Sequence, residues 1–127
     1  MEIYTTIKVK TIHKREILPL PDNGHSITII VMDSPRFIVN DQFPEESGLM
    51  AKCFIFGKVL IIDYDIKLSP SIYKEISKEL KKHDIKVDTD LKCLVGRMFT
   101  ITGRQLPNVN EMTYDVKLRL DLEQEDV

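Results

Sequence analysis

The stretch LSPSIYKEISKELKKHD, residues 68–84, decides the predicted fold because it is the one segment with convincing helical periodicity. Ser69 is a good N-cap, and Pro70 suits the first helical position. Leu68 and Tyr73 can form a hydrophobic staple across this cap. Apolar side chains recur at helical spacing along the stretch: Ile72, Tyr73, Ile76 and Leu80. We therefore expect one amphipathic helix with this row on its buried face.

Extended segments flank the helix on both sides. They are rich in β-branched and apolar residues, and turn-forming residues separate them. The segment at residues 50–66 fits either one long strand or a hairpin that turns near Gly57. The predicted strands occupy residues 3–12, 26–33, 50–66, 91–105 and 112–122.

This order of elements predicts a mainly β fold with one helix, in the α+β class. Five strands with a single helix between strands 3 and 4 are the layout of a five-stranded OB-fold-like Greek-key barrel. A doubly wound parallel sheet needs more helices than the sequence offers. We expect an OB-fold-like domain at residues 1–120 and a short acidic C-terminal tail at residues 121–127.

The charge is distributed unevenly along the 127 residues. The chain carries a net charge of −2, but the tail contains four carboxylates and no cation, so the first 120 residues carry +2. The tail carboxylates are Asp121, Glu123, Glu125 and Asp126. A mildly basic body with an acidic tail is a weak indication of charged partners.

The composition also bounds the setting in which the protein works. No apolar run approaches the roughly 20 residues that a membrane-spanning helix needs. Residues 1–10 lack the continuous apolar region of a secretory signal. We expect a cytoplasmic protein with no membrane partner, in which Cys53 and Cys93 are reduced core thiols.

The sequence carries no motif of a common enzyme class. Gly57 and Lys58 lack the other residues of a phosphate-binding P-loop, and the five glycines form no dinucleotide-binding motif. The histidines and cysteines are not at metal-ligand spacing. Asp63 and Asp65 could bind a cation for a hydrolase or nuclease, but the carboxylates of such a pair are more often solvated and bind no ligand. We expect no catalysis, no cofactor and no metal.

The segment AKCFIFGK, residues 51–58, carries the candidate binding surface. If it is a strand, its side chains alternate between two faces. One face is small and apolar, as a core requires: Ala51, Cys53 and Ile55. The other face places two aromatic rings between two cations: Lys52, Phe54, Phe56 and Lys58. A covering helix or loop would make Phe54 and Phe56 core residues, but the flanking lysines favour an exposed face.

Other predicted strands add cations to this surface. The last strand contributes Lys117 and Arg119, the first contributes Lys8 and Lys10, and Arg97 and Arg104 flank the segment MFTIT. Exposed aromatic rings among cations are typical of surfaces that bind single-stranded nucleic acid, because bases stack on the rings and phosphates pair with the charges.

Two segments carry a family resemblance. The run GKVLIIDYDIKLSPSIYKEISKEL, with the later run DLKCLVGRMFTITGRQLPNVNEMTYDVKLRL, resembles the C-terminal part of phage and archaeal single-stranded-DNA-binding proteins of the OB-fold type. MDSPRFIVNDQF is similar to the segment that these proteins place before the central strand. The resemblance implies a binding role for Phe37, Phe54, Phe56 and the neighbouring cations. It also implies that the acidic tail recruits replication or repair proteins, or shields the groove when no DNA is bound.

We therefore expect a protein that binds single-stranded DNA without strong sequence preference, in replication, recombination or repair, with RNA and homo-oligomerisation left open. Bases are expected to stack on Phe54 and Phe56, and also on Phe37. The expected phosphate contacts are Lys52, Lys58, Arg97, Arg104, Lys117 and Arg119. The alternative is an OB-like adaptor whose aromatic face mediates protein–protein contacts or self-association. Salt dependence separates the two, since phosphate neutralisation makes affinity fall steeply with salt.

Overall fold

A computed structural model of the protein describes residues 8–10, 16–58 and 62–123. Its strands are β1 (Lys8–Lys10), β2 (Ser26–Val31), β3 (Arg36–Val39), β4 (Gly48–Ile55), β5 (Tyr64–Lys67), β6 (Met98–Gln105) and β7 (Met112–Leu118). Its α-helices are α1 (Pro70–Lys82) and α2 (Leu120–Glu123), and its 3-10 turns are Pro44–Glu46 and Lys92–Leu94. The predicted strand at residues 3–12 and the predicted tail lie partly outside the described residues.

One mainly antiparallel sheet holds these strands. Its order is β1-β3-β4-β2-β6-β7, and β5 pairs with β4 beside this path. Among the pairs of named strands, β1 and β3 alone run parallel, and the isolated bridges Ile17–Asp65 and Asn23–Gly103 are parallel as well. The predicted mainly β, α+β class with one main helix is therefore confirmed.

The sheet does not close into a barrel in the described part of the chain. Without β1 and β3, the pairing path runs β5-β4-β2-β6-β7, so closure requires β5 to meet β7. The free edge of β5 pairs instead with an earlier segment. The Asp65 N–H donates to the Glu16 carbonyl at 2.9 Å, and the Leu18 N–H donates to the Asp65 carbonyl at 3.0 Å. The expected barrel closure is not observed, and residues 16–18 lie along the β5 edge that would pair with β7 in a closed barrel.

Helix α1 begins and ends close to the predicted positions. The Ser69 hydroxyl accepts from the Ile72 N–H at 3.5 Å, and Pro70 is the first helical residue. The buried side chains of α1 are Ile72, Ile76 and Leu80. Tyr73, expected on the same face, is 38% exposed. It lies at the margin of the apolar stripe because each residue turns the helix by about 100°.

The segment at residues 50–66 is a hairpin rather than one strand. Strand β4 ends at Ile55, and Gly57 has a φ of +88°, a conformation that glycine adopts readily. The strand predicted at residues 91–105 begins only at Met98. Its first part is instead a turn, since Leu91 has a φ of +58° and a 3-10 turn follows it.

The core lies between α1 and one face of the sheet. Phe99 and Ile101 of β6 and Cys53 of β4 are fully buried there with the apolar side chains of α1. Burial raises the pKa of the Cys53 thiol to about 12, with Asp65 contributing through its charge. No helix within the described ranges is long and apolar enough to cross a membrane.

Candidate nucleic-acid interface

Strands β4, β2, β6 and β7 present an outer face, which we define as the sheet face opposite the core and α1. Outer-face side chains alternate with core side chains along each strand, as strand geometry requires. In β6, Phe99 and Ile101 are fully buried, whereas Thr100 and Thr102 are half-buried. The pairing register aligns the outer-face residues of adjacent strands in rows.

One row of the outer face is apolar. Ile30 of β2 lies opposite Phe54 of β4 on one side and opposite Met98 of β6 on the other, and all three are half-buried. Lys52 lies two residues from Phe54 on the same strand and is also half-buried. The predicted sharing of a face by Phe54 and Lys52 is confirmed. Phe54 is neither a core residue nor fully exposed.

The next rows consist of hydroxyl groups. The Thr28 and Thr100 hydroxyls form a hydrogen bond of 2.7 Å between β2 and β6. The Ser26 and Thr102 hydroxyls form another of 2.7 Å one row further on. Lys117 of β7 lies opposite Thr100, so an exposed ammonium group extends the first of these rows. Hydroxyls and ammonium groups can both bind phosphate and sugar oxygens.

Arg119 follows the last residue of β7 and contacts this hydroxyl row. Its Nη1 donates to the Thr100 hydroxyl at 3.0 Å, while Nε and Nη2 donate to the Asp121 carboxylate at 3.0 and 2.7 Å. These hydrogen bonds lower the pKa of the Asp121 carboxyl and raise the pKa of the Arg119 guanidinium. Arg119 is thus on the predicted surface, but its charge is compensated by the first residue of the acidic tail.

The Arg104 guanidinium is likewise paired with a carboxylate. It lies near the end of β6, where Nε and Nη2 donate to the Asp115 carboxylate of β7 at 3.1 and 2.9 Å. The hydrogen bond to Asp115 raises the pKa of the Arg104 guanidinium. Both side chains are more than half exposed, so solvent screens this pair.

The lysines of the predicted surface are less constrained. Neither Lys52 nor Lys117 forms an ion pair with a carboxylate among the residues that the structure describes. Lys117 is exposed, whereas Lys52 is half-buried opposite Asp65 of β5. These ammonium groups are therefore more available to an added phosphate than the guanidinium groups of Arg104 and Arg119.

A groove of about 540 Å³ extends the outer face beyond the end of β4. The Phe56 N–H donates to the Thr28 carbonyl at 2.8 Å, which holds the Phe56 backbone beside β2. Phe56 is 41% exposed, and Lys58 is exposed. Both residues line the groove together with Pro21, His25 and Thr28. The structure therefore places Phe56 and Lys58 in a concave surface beside the outer face.

Arg97 is anchored at the opposite end of β6. Its Nε donates to the Cys93 carbonyl at 3.3 Å, and its own carbonyl accepts from the Val31 N–H at 3.0 Å. The side chain is half-buried. These contacts stabilise the turn before β6, and a contact of Arg97 with a ligand remains a prediction.

Phe37 lies on a different surface from the other two aromatic residues. It pairs with Leu49, which lies on the same face of β4 as Ala51 and Cys53. Its side chain therefore projects from the sheet face opposite to that of Phe54. Phe37 is 55% exposed, but it does not share one stacking surface with Phe54.

Two features of the interface were not predicted from the sequence. The hydroxyl rows join Thr28 to Thr100 and Ser26 to Thr102, which are more than 70 residues apart in the chain. Alternating Thr and Ile residues in β2 and β6 indicate that each strand has a polar face, but they do not indicate that β2 and β6 are neighbours. The pairing of Arg119 with Asp121 was also missed, although a spacing of two residues permits it.

The described residues contain no group of three or more His, Cys, Asp or Glu side chains placed to hold a metal ion. Of the two carboxylates considered for a cation, Asp65 is buried, whereas Asp63 is exposed. Comparisons of the chain with protein-family models, curated proteins and solved structures gave no match.

Proposed function

We propose that the protein binds single-stranded nucleic acid along the outer face, with DNA as the expected ligand. The observation that carries this proposal is the register that aligns Phe54, Lys52 and Lys117 on the face opposite α1. The groove with Phe56 and Lys58 continues this surface at one end. Aromatic rings and unpaired cations along one sheet are the combination that single strands require.

The chemistry of binding follows from the rows of the outer face. Bases would stack on Phe54 and Phe56, and each stacked base contributes about 1–3 kcal/mol. Phosphates would pair with Lys52, Lys58 and Lys117 and release counterions. The hydroxyl rows would donate to phosphate or sugar oxygens between these points. None of these contacts reads the edge of a base, so little sequence preference is expected.

The arginines contribute differently. Arg104 and Arg119 must exchange their carboxylate partners for phosphates before they add to affinity. The lysines are therefore expected to carry most of the salt dependence. The role that the resemblance implied for Phe37 is not part of this proposal, because Phe37 lies on the opposite face of the sheet.

The proposed fold family is an opened OB-fold. Once β1 and β3 are set aside as additions, the order is β2, β4, β5, α1, β6 and β7, with the helix between the third and fourth strands. That order supports the proposal, and an OB-fold barrel is itself only partly closed. Replication, recombination or repair is the proposed setting, with partner proteins contacting the acidic tail.

Fluorescence anisotropy of a labelled oligo-dT and of a matched duplex, each at 50 and 200 mM salt, tests the proposal. We expect binding to the single strand only, with an affinity that falls at least about tenfold between the two salt concentrations. Absence of binding at 50 mM salt, or equal binding to the duplex, contradicts the proposal.

One observation favours a second candidate function, a protein-binding adaptor. The apolar row of Phe54, Ile30 and Met98 continues toward Met32, which is 39% exposed. An apolar patch with a lysine rim also suits a protein interface or self-association. In that case, binding through this row would be nearly insensitive to salt, and oligo-dT would not compete for it.

A further inference from the structure

Helix α1 carries a row of lysines on the side opposite its buried face. Lys74, Lys78 and Lys81 follow one another at spacings of four and three residues, which place them on one side of an α-helix. All three residues are exposed, whereas the buried side chains of α1 lie on the other side. We call these three residues the lysine stripe.

The charge of the lysine stripe is largely uncompensated. Neither Lys74 nor Lys81 forms an ion pair among the residues that the structure describes. Lys78 lies 3.5 Å from the Glu75 carboxylate, but its side chain is 64% exposed, so solvent screens this pair. The helix dipole stabilises cations in the last turn, which accounts for Lys81. Lys74 lies in the second turn, where the dipole gives no such stabilisation, so helix stability does not explain the whole stripe.

The flank of α1 beside the lysine stripe lies along the edge of β7 that does not pair with β6. The Glu79 carboxylate accepts from the Leu118 N–H at 2.8 Å, and Glu75, one turn earlier, has a charge interaction with Arg104 of β6. Lys117 of the outer face immediately precedes Leu118. The outer face and α1 are therefore neighbours across this edge.

Two lysines connect this edge with the rest of the stripe. The Lys82 and Lys78 ammonium groups lie 3.6 and 3.5 Å from the two glutamates of that flank. Because these lysines are exposed, a phosphate can replace the carboxylate partner at little cost. Lys74 and Lys81 are about 10 Å apart along the helix axis, which is enough for more than one phosphate of a strand. A series of ammonium groups thus leads from the outer face to α1.

The chemistry of the stripe favours a phosphodiester backbone over other anionic partners. The apolar row of α1 is buried in the core, so the helix has no exposed apolar face to insert into a lipid surface. Lysine is depleted in protein–protein interfaces, whose centres are apolar, and the stripe contains no apolar side chain. Ammonium groups alone are sufficient to bind a nucleic-acid backbone, since phosphate contacts need no base-reading group.

We infer that a single strand longer than the outer face continues over the β7 edge and along α1, where the lysine stripe contacts its phosphates. The outer face stacks the bases, and α1 adds charge alone. This inference rests on the proposed function and extends its site. Long strands are therefore expected to depend on Lys74 and Lys81, whereas short strands are not.

The test compares labelled oligo-dT of about 8 and about 16 nucleotides, lengths within the range of single-strand sites, by anisotropy at 50 and 200 mM salt. The full chain with Lys74→Gln and Lys81→Gln should bind the longer oligonucleotide at least about tenfold more weakly at 50 mM salt, and the shorter one within about twofold of the unsubstituted chain. The loss of affinity for the longer oligonucleotide between the two salt concentrations should shrink about sevenfold, which corresponds to two fewer phosphate contacts.

The matched control combines Lys86→Gln with Lys92→Gln. Both residues are exposed in the connection between α1 and β6, so the net charge changes equally outside the stripe. This control should bind both oligonucleotides within about twofold of the unsubstituted chain. Circular dichroism checks that both double variants remain folded.

Three outcomes overturn the inference while the shorter oligonucleotide still binds. The stripe variant and the control bind the longer oligonucleotide equally. The stripe variant loses affinity for both lengths equally, which indicates a general effect of charge rather than contacts beyond the outer face. The stripe variant loses affinity for phosphatidylserine vesicles but not for the longer oligonucleotide, which assigns the stripe to a membrane surface. Failure of the shorter oligonucleotide to bind the unsubstituted chain contradicts the proposed function and this inference together.

Discussion

The Glu79 carboxylate of α1 accepts a hydrogen bond from the backbone N–H of Leu118 in β7 at 2.8 Å. Leu118 is buried, and the Glu79 side chain is only 12% exposed. One edge of β7 pairs with β6. The Leu118 N–H lies on the other edge of β7, where a further strand would be expected to pair. Glu79 satisfies that edge donor, and helix α1 thereby takes the place of a closing strand.

Loss of this acceptor should destabilise the fold. Glu79→Ala leaves a buried N–H without its partner, so we expect the free energy of unfolding to fall by about 1–3 kcal/mol. Glu79→Gln keeps an acceptor oxygen and should lose less. Urea unfolding monitored by circular dichroism measures both. Glu75→Ala on the same helix removes an exposed pair with Lys78 and a charge interaction with Arg104, and it should change the stability by less than about 0.5 kcal/mol. Equal losses for the two alanine variants would show that the contact with Leu118 is not the cause.

Gly103 is required for close packing of β6 against the backbone of residues 21 and 22, and a comparison of Gly103→Ala with Gly96→Ala tests this role. A Cβ atom at this position would lie within 2.5 Å of the Asp22 carbonyl oxygen and closer still to the Pro21 carbonyl oxygen. Because these are backbone atoms, they cannot rotate away. Gly103→Ala should therefore lower the free energy of unfolding by about 3 kcal/mol. At Gly96, with a φ of +82° and open space around the position, alanine should cost about 1 kcal/mol from backbone strain alone. A smaller loss at Gly103 than at Gly96 in urea unfolding would contradict this packing argument.

The two cysteines should differ in reactivity. Cys53 is fully buried and its pKa is raised to about 12, mainly by desolvation, whereas Cys93 is partly exposed. At pH 8, iodoacetamide should alkylate Cys93 in the folded protein and reach Cys53 only in urea, as read by mass spectrometry. Alkylation of both at equal rates under native conditions would refute the burial of Cys53.

The same pKa predicts how stability changes with pH. The Cys53 thiol has an ordinary pKa of 9.0, and the folded protein raises it to about 12. Between these values the unfolded chain releases the proton while the folded chain retains it. This group therefore stabilises the fold fully below pH 9, and its contribution is lost as the pH rises toward 12. Cys53→Ala should reduce this slope in unfolding experiments between pH 8 and 10.5.

The sequence predicts those features of the fold that depend on residues close together in the chain. Helix α1 was predicted because Ser69, Pro70 and the apolar spacing all lie within one segment. The shared face of Lys52 and Phe54 follows from alternation within β4. The missing barrel closure could not be predicted, because it depends on residues 16–18 pairing with Asp65 nearly 50 residues later.

The same limit explains the placement of Phe37. Its phase relative to Phe54 is set by the pairing of Phe37 with Leu49, and a shift of one residue would move it to the outer face. Sequence pattern fixes the alternation within a strand but not the register between strands. The aromatic residues therefore looked like one surface in the sequence and occupy two in the structure.

Release of Arg119 should increase affinity for a single strand. Asp121→Asn removes the carboxylate that binds the guanidinium, so we expect oligo-dT binding at 50 mM salt to tighten about two- to fivefold. Asp90→Asn is the matched control, because it removes one negative charge from the exposed pair with Lys92 instead. An equal gain in both variants by anisotropy would indicate an effect of net charge rather than of Arg119.

The stacking roles of Phe54 and Phe56 give the most direct prediction for the outer face. Each alanine substitution should weaken oligo-dT binding by about 5- to 150-fold, which corresponds to one lost stacking contact. Phe56→Leu should also weaken it, because leucine retains apolar volume but lacks an aromatic face. Anisotropy at 50 mM salt measures these affinities, and thermal unfolding checks that half-buried Phe54 can be replaced without loss of the fold. Phe37→Ala is the matched control and should retain full affinity, since Phe37 lies on the opposite sheet face. If Phe56→Leu binds as tightly as phenylalanine, the ring serves only as apolar surface, and the adaptor function becomes the better explanation of the outer face.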